Sequence, residues 1–258
     1  MAVRAQVLGR AGLRVRRGAS VLRRAPLLPT AITLGFVAVA VLGDFLAPHS
    51  PYETTLPSRL MPPFWMEGGS LSHPLGMDPV GRDILSRIIL GARVSLVAAL
   101  GAIFVGGGIG TALGLISGYY GRWMDAVIMR ATDAMLSLPV LLLALLFATA
   151  LGPSFTNLII VLALVMWARF ARLVRGEVLS WKEKDFVALA RVAGVSSFNI
   201  ILRHIFPNVV NSLVVLATLQ VGWVIIVEAS LSFLGAGIPP PTPSWGAMVA
   251  DGRSYIQS

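Results

Sequence analysis

The 258-residue chain is 56% hydrophobic and 13% charged, with 21 basic against 12 acidic residues and a formal net charge of +9. A soluble domain is about one quarter charged, so this composition points instead to several membrane spans of about 20 residues each. The absence of cysteine excludes disulfides, thiolate metal sites and a cysteine nucleophile; the basic residues lie beside apolar runs, where membrane orientation and anionic head groups account for them, so no nucleic-acid partner is expected.

Residues 1–26 hold seven arginines and no acid. An organellar targeting peptide shares that pattern but is also serine-rich, and only Ser20 is present. The segment therefore reads as a cytoplasmic Arg-rich tail. Span one is predicted over about 27–47, with Asp44 near its far end, where a charge reaches the interface. Residues 48–90 form a loop rich in Pro, Gly and Ser that contains "SHPLGMDPVGRDILSRIILGARVSL". Asp83, Arg87 and Gly91 recur there at i, i+4, i+8, while Ile84, Leu85, Ile88 and Ile89 share another face. That pattern predicts an amphipathic helix lying in or near the membrane interface.

Span two, about 94–118, is uncharged, and Gly106, Gly110, Gly114 and Gly118 recur every four residues along it. Small residues at that spacing let a second helix backbone come close in lipid, where packing drives association. They are read as a helix-packing face, the alternative being a pore lining. Span three, about 126–151, places Arg130 and Asp133 at i, i+3, a spacing at which they can pair; Pro139 within it should bend the helix. Span four, about 155–168, ends in Arg169, Arg172 and Arg175. Span five, about 209–234, carries Glu228, and "GAGIPPPTPSWGAM" follows. Its prolines stop the helix, and Trp245 suits a lipid interface. Glu228 is the intramembrane acid and hence a candidate for the translocation path, a solvated or paired role being the alternative.

The expected fold is thus an all-α polytopic membrane protein with five transmembrane helices. Residues 1–26 and 169–207 each hold seven Lys or Arg, whereas the 48–90 loop holds three. Four spans separate the two basic regions, so both lie on one side, and the positive-inside rule puts the N-terminus and the 169–207 loop in the cytoplasm.

Within that loop, "DFVALARVAGVSSFNIILRHIFPN" reads helix, glycine, helix, proline. Phe186, Leu189, Ala190 and Ala193 make one apolar stripe, with Lys184, Ala188 and Arg191 opposite. Gly194 can supply the left-handed residue that ends the first helix, and Ser196 or Ser197 can cap the second. Phe198, Ile201, Leu202 and Ile205 repeat the spacing, with Asn199 and Arg203 facing away. Such short helices are marginal alone. The stripes need a surface to lie against: the bundle end, lipid, or a separate protein.

The chain holds no phosphate-loop motif, no H-E-x-x-H and no G-x-S-x-G. It is therefore expected to be noncatalytic and to need no cofactor. Of the histidines, His49 and His73 are read as ordinary loop residues, the alternative being that they meet and touch a metal; no metal site is assigned.

The 185–208 stretch resembles the cytoplasmic EAA signature loop of ABC importer permeases. Ala188, Leu189 and Ala190 occupy the E-A-A positions, Gly194 the glycine and "IFPN" the terminal part; the usual glutamate is replaced by Ala188, with Glu183 and Asp185 nearby. "HPLGMDPVGRDILSRIILGARVSL", "GLISGYYGRWMDAVIMRATDAMLSLP" and "LSFLGAGIPPPTPSWGAM" are similar to the dipeptide/oligopeptide/nickel permease group, in its second, C-type subunit. The resemblance covers about residue 28 onward and makes 27–258 one ABC permease transmembrane domain. It implies a bacterial inner-membrane subunit forming half of a heterodimeric pore with a second related permease. Two cytoplasmic ABC ATPases and an extracytoplasmic solute-binding protein would be its partners, and short peptides its cargo. Nickel chelates or glutathione are the alternative cargo, a passive pore the remoter alternative. It further implies that the helix at 184–193 is the coupling helix, docking on an ATPase through Asp185, Phe186, Ala188, Leu189, Ala190, Arg191 and Gly194. The group commonly has six spans, where this sequence supports five.

Overall fold

Asp83 begins one of the two longest helical stretches of the bundle. It caps helix α2 (Ile84–Ala102), its carboxylate accepting the Ser86 N–H at 2.8 Å, and one of the orphan donors of the first turn is thereby satisfied. The helix runs on through a π-helical stretch at Ile103–Gly107 into α3 (Gly108–Tyr120). The rod has 37 residues and is about 55 Å long at 1.5 Å per residue. A computed structural model describes residues 27–255; the Arg-rich tail expected at 1–26 lies outside the described residues. Preceding the rod is α1 (Leu27–Leu46), and following it are α4 (Arg122–Ser137), α5 (Val140–Leu151) and α6 (Phe155–Trp181). A short helix α7 (Asp185–Val192), a single turn α8 (Ser197–Asn199), a π-helical stretch at Ile200–Ile205, the long α9 (Phe206–Phe233) and α10 (Trp245–Arg253) complete the described chain.

The molecule is all-helical among the described residues, apart from one isolated bridge between Met77 and Asp83. Four helical stretches are long and apolar enough to span a bilayer, and the α4–α5 pair makes a fifth if counted as one bent span. The break at Pro139 turns α5 by 97° from α4, far more than the local bend expected of a proline. Leu138 before it is extended, because the proline ring disfavours the α region at the preceding residue. Arg130 and Asp133 do not pair as their spacing suggests: Asp133 binds Arg172 of α6.

The packing core lies on α6. Ala98, Ala99 and Ala102 of α2, Leu143 and Ala144 of α5, and Val224 and Leu231 of α9 enclose Leu162, Met166 and Phe170. Small alanines against large aliphatics bring the axes close. The glycine face of the rod brings them closer still. A Cβ on Gly106 or Gly114 would stand 2.7 Å from the carbonyl oxygen of Ala163 or Ala171, and one on Gly118 2.7 Å from Val178 Cβ. One on Gly110 would collide with the Trp167 carbonyl. The α3–α6 contact is therefore backbone against backbone.

One expectation for the head of α2 changes. The face carrying Asp83, Arg87 and Gly91 does not lie at a lipid interface: it is continuous with span two and buried under the 48–83 loop and α10. Arg87 donates to the carbonyls of Pro51 at 3.2 Å and Pro241 at 3.5 Å. Its guanidinium is thus held by chain on both sides, a cheaper arrangement than an unpaired buried charge. Trp245 fills the gap left by Gly91 and donates to the Ile88 carbonyl at 2.9 Å, remaining partly exposed. Span four is longer than its uncharged core, because α6 continues to Trp181 through its three arginines. Arg169 lies 4.1 Å from the Trp223 ring centre and donates to Gln220, and Arg175 makes a two-bond contact with Asp125 at 2.5 and 2.6 Å.

Gly110→Ala is expected to lower stability by about 1–3 kcal/mol, the range for forcing volume into a packed contact. Gly108→Ala, where a Cβ meets nothing within 4 Å, is expected to stay within about 0.5 kcal/mol of the parent. Thermal unfolding of both variants in detergent makes the comparison; equal midpoints refute the close-approach role.

Candidate functional site

The elbow between α6 and α9 is built from local rules. Lys184 is extended and α7 starts at Asp185, whose carboxylate favours the positive end of the helix. Gly194 adopts φ +76°. Its N–H bonds the Arg191 carbonyl and that of Val195 bonds the Ala190 carbonyl, both at 3.1 Å. This pair of bonds is a Schellman stop, which needs a left-handed residue at the glycine position. Ser196 then caps the next turn through Asn199 N–H, and the chain returns along α8 and the π-helical stretch.

The elbow is braced by both long helices. Val187 and Ala190 are buried against Leu115 of α3, Val174 and Val178 of α6, and Ile200, Ile205 and Val209. Lys182 donates to the Gly118 carbonyl at 3.1 Å, and Tyr119 Oη to Ser197 at 3.4 Å. The Arg191 guanidinium sits 5.8 Å from the Tyr119 ring centre. Glu177 accepts from Trp181 and, at 2.7 Å, from Ser212 of α9. The elbow is thus in packing or hydrogen-bond contact with α3, α6 and α9.

The outer face differs from the stripe that spacing suggested. Of Phe186, Leu189, Ala190 and Ala193, only Ala190 is buried; Leu189 is 68% exposed and Val192 89%. Asp185, Ala188, Arg191 and Gly194 are exposed as well. The buried partner of Ala190 is Val187, one turn back on the bundle side. In the return segment Ile200, Ile201 and Ile205 are buried whereas Phe198 and Leu202 are exposed. The π-helical turn puts i and i+5 on one face, so a 3.6-residue period misassigns these side chains. Phe186, Leu189, Val192, Phe198 and Leu202 remain as apolar side chains open to the outside of the elbow.

Glu228 is in a different setting from the elbow. It is 0% exposed. Its oxygens accept from Ser95 of α2 at 2.9 Å, Ser232 at 2.8 Å and Ser244 at 3.0 Å. Three hydroxyls from three chain segments thus converge on one carboxylate, joining α2, α9 and the entrance to α10. A substrate reaches this group only if that junction opens. The serines were invisible as a set in the sequence, since Ser95 and Ser244 lie far from Glu228 along the chain. At the same end of the molecule, the rings of His49 and His73 stand 4.2 Å apart, so the two loop histidines do meet.

Glu228→Gln keeps an acceptor and the shape of the group, and is expected to cost about 1 kcal/mol; Glu228→Leu leaves three buried hydroxyls without their acceptor and is expected to cost about 3 kcal/mol or more. Thermal unfolding separates the two. Transport lost in the Gln variant with unaltered stability and assembly would instead assign the carboxylate to the path.

Known proteins share these features. Residues 110–256 match the family of binding-protein-dependent transport system inner membrane components. The chain is 42% identical over 227 residues to the dipeptide transport system permease protein DppC of Alkalihalophilus pseudofirmus, covering 88% of this chain and 73% of the relative. It is 41% identical over 218 residues to the glutathione transport system permease protein GsiD of Pectobacterium atrosepticum, covering 84% and 71%. Against the GsiD protein of an Escherichia coli strain identity is 48% over 218 residues, covering 84% and 70%. With a matching family segment over more than half its length and relatives aligned across most of both chains, the protein belongs to the binding-protein-dependent transport system inner membrane components, the multi-pass permeases of ABC importers.

Proposed function

We propose that this permease carries short peptides, glutathione included, across the bacterial inner membrane as one half of a heterodimeric pore. A second related permease supplies the other half. Two cytoplasmic ABC ATPases hydrolyse ATP, and an extracytoplasmic solute-binding protein delivers cargo. The relatives named for dipeptides and for glutathione support the cargo class. Both names describe short peptides, and the chain aligns with both kinds over most of its length.

Coupling is assigned to α7. The observation that carries this reading is its two-sided character: Val187 and Ala190 anchor it to the bundle while Phe186, Leu189 and Val192 stay uncovered. An uncovered apolar row on a braced helix suits a partner groove, as in other helix-in-groove contacts. Asp185, Ala188 and Arg191 border that row and would meet polar groups of the same groove. Closure of the ATPases would push α7, and the braces to α3, α6 and α9 would pass the displacement to the spans as a rigid-body movement. In this reading the elbow faces the cytoplasm, as the arginine distribution requires. The 48–83 loop, one rod length away, faces the binding protein.

The chain has no cysteine, so single cysteines report without background. Leu189→Cys is expected to crosslink to a cysteine in the ATPase groove within the assembled complex, and Ala190→Cys, which points into the bundle, is not. Crosslinking from neither Leu189 nor Phe186 in an active complex defeats the docking assignment. Gly194→Val forces a branched side chain into a left-handed conformation, a strain of about 1–3 kcal/mol. It is expected to leave ATP hydrolysis running while peptide uptake falls at least tenfold; full uptake shows that the turn geometry is not needed.

A further inference from the structure

Three side chains with metal-ligand chemistry meet at the head of α2 and have no part in coupling or in the Glu228 junction. His49 follows α1, His73 lies in the middle of the loop and Asp83 caps α2. One ligand atom from each lies within 4.8 Å of the others. His73 Nδ1 is 3.0 Å from Asp83 Oδ1. Neighbouring ligands on a cation with bonds of about 2.1 Å stand about 3 Å apart, so this pair already has the required spacing. The His49 ring lies over that of His73 with a tilt of 30°.

The backbone around the group is fixed independently of the histidine rings. Asp83 Oδ2 accepts from Ser86 N–H at 2.8 Å and Ser86 Oγ at 2.6 Å. The same Ser86 hydroxyl accepts the His49 N–H at 3.1 Å, which ties the start of the loop to its end. Asp83 also faces Met77 through the isolated bridge. A cavity of about 170 Å³ opens beside the group, lined also by Glu53, Thr55 and Ser58. It leaves room for water or a further oxygen ligand.

We propose that His49, His73 and Asp83 bind one divalent transition-metal cation of the zinc or nickel class, which staples the 48–83 loop to the head of α2. Two imidazoles and one carboxylate suit a borderline cation, whereas magnesium and calcium take oxygen ligands. With the cation bound, His73 coordinates through Nδ1 as the neutral tautomer protonated on Nε2, and a proton displaced from between Nδ1 and Asp83 Oδ1 passes to solvent. No group changes oxidation state. His49 is exposed, so its ring can rotate to close the remaining gap. A cysteine-free chain has no disulfide with which to close this loop, and the cation would join points 24 and 10 residues apart (73 − 49 and 83 − 73). Cross-links of this kind lower the entropy of the open loop.

The test uses the assembled transporter, stripped with a chelator and re-equilibrated with Zn²⁺ alone and, separately, with Ni²⁺ alone. The parent complex is expected to retain one more equivalent per permease than His49→Ala or His73→Ala, with at least a tenfold loss of affinity in each variant. Proteolysis between residues 49 and 83 is expected to slow with cation in the parent only. His49→Ala is the cleaner variant, since the His49 contact with Ser86 is made by its backbone. Equal metal content in the parent and both variants overturns the site. So does dependence on His49 with His73→Ala unaffected, which marks a single surface histidine, and so does equal displacement by Mg²⁺.

Discussion

The rod is held to α6 by a close approach across four glycines, and the rest of the bundle is arranged around that contact. In lipid there is no hydrophobic gain from joining two apolar helices, so close van der Waals contact must hold them together. A side chain at Gly106, Gly110, Gly114 or Gly118 would meet α6 at less than van der Waals distance. The contact extends to the end of α3, where Gly118 also offers its carbonyl to Lys182. The end of the glycine seam is thus also the base of the elbow.

Charge is distributed to match. The uncharged stretches run from Val94 to the end of the rod, over all of α5 and over the first half of α6. Arg169, Arg172 and Arg175 lie where α6 leaves that apolar zone, and each has a partner on another helix: Trp223 and Gln220, Asp133, and Asp125. Between protein groups such pairs avoid the full desolvation cost of an isolated charge. They also tie α4 and α9 to α6. The opposite end uses a different device, in which Glu228 gathers three serine hydroxyls and Arg87 gathers two carbonyls. At both ends charged residues link segments distant in sequence.

The two ends differ in what they leave open. At the elbow, apolar side chains remain uncovered on a helix whose other face is locked. At the loop, polar ligands converge beside a small cavity. α1 is the least enclosed of the long helices, with 11% of its apolar window buried against 56% for α6. It is held to α2 by Ala40, Gly43 and the Asp44–Arg93 pair. A helix so exposed requires lipid or a partner over the rest of its surface, which accords with a subunit of a larger membrane assembly.

Sequence alone determined the all-helical membrane class and the elbow's punctuation. Apolar runs of membrane length have only one way to satisfy their backbone, the helix, and a glycine between two short helical patterns followed by Pro207 marks a stop and a restart. Glycines four apart already implied a packing face. Tertiary structure decided what a fixed period could not. The π-helical turn at Ile200–Ile205 rotated the return stripe, and the bundle took Val187 and Ala190 and left Phe186 and Leu189 outside. Pro139 became a right-angled break because α5 found its place against α6. The burial of Glu228, the seating of Trp245 on Gly91 and the meeting of His49 with His73 and Asp83 all depend on residues far apart in the chain. Local patterns report which conformation a segment prefers; which of its faces is covered depends on the segments that pack against it.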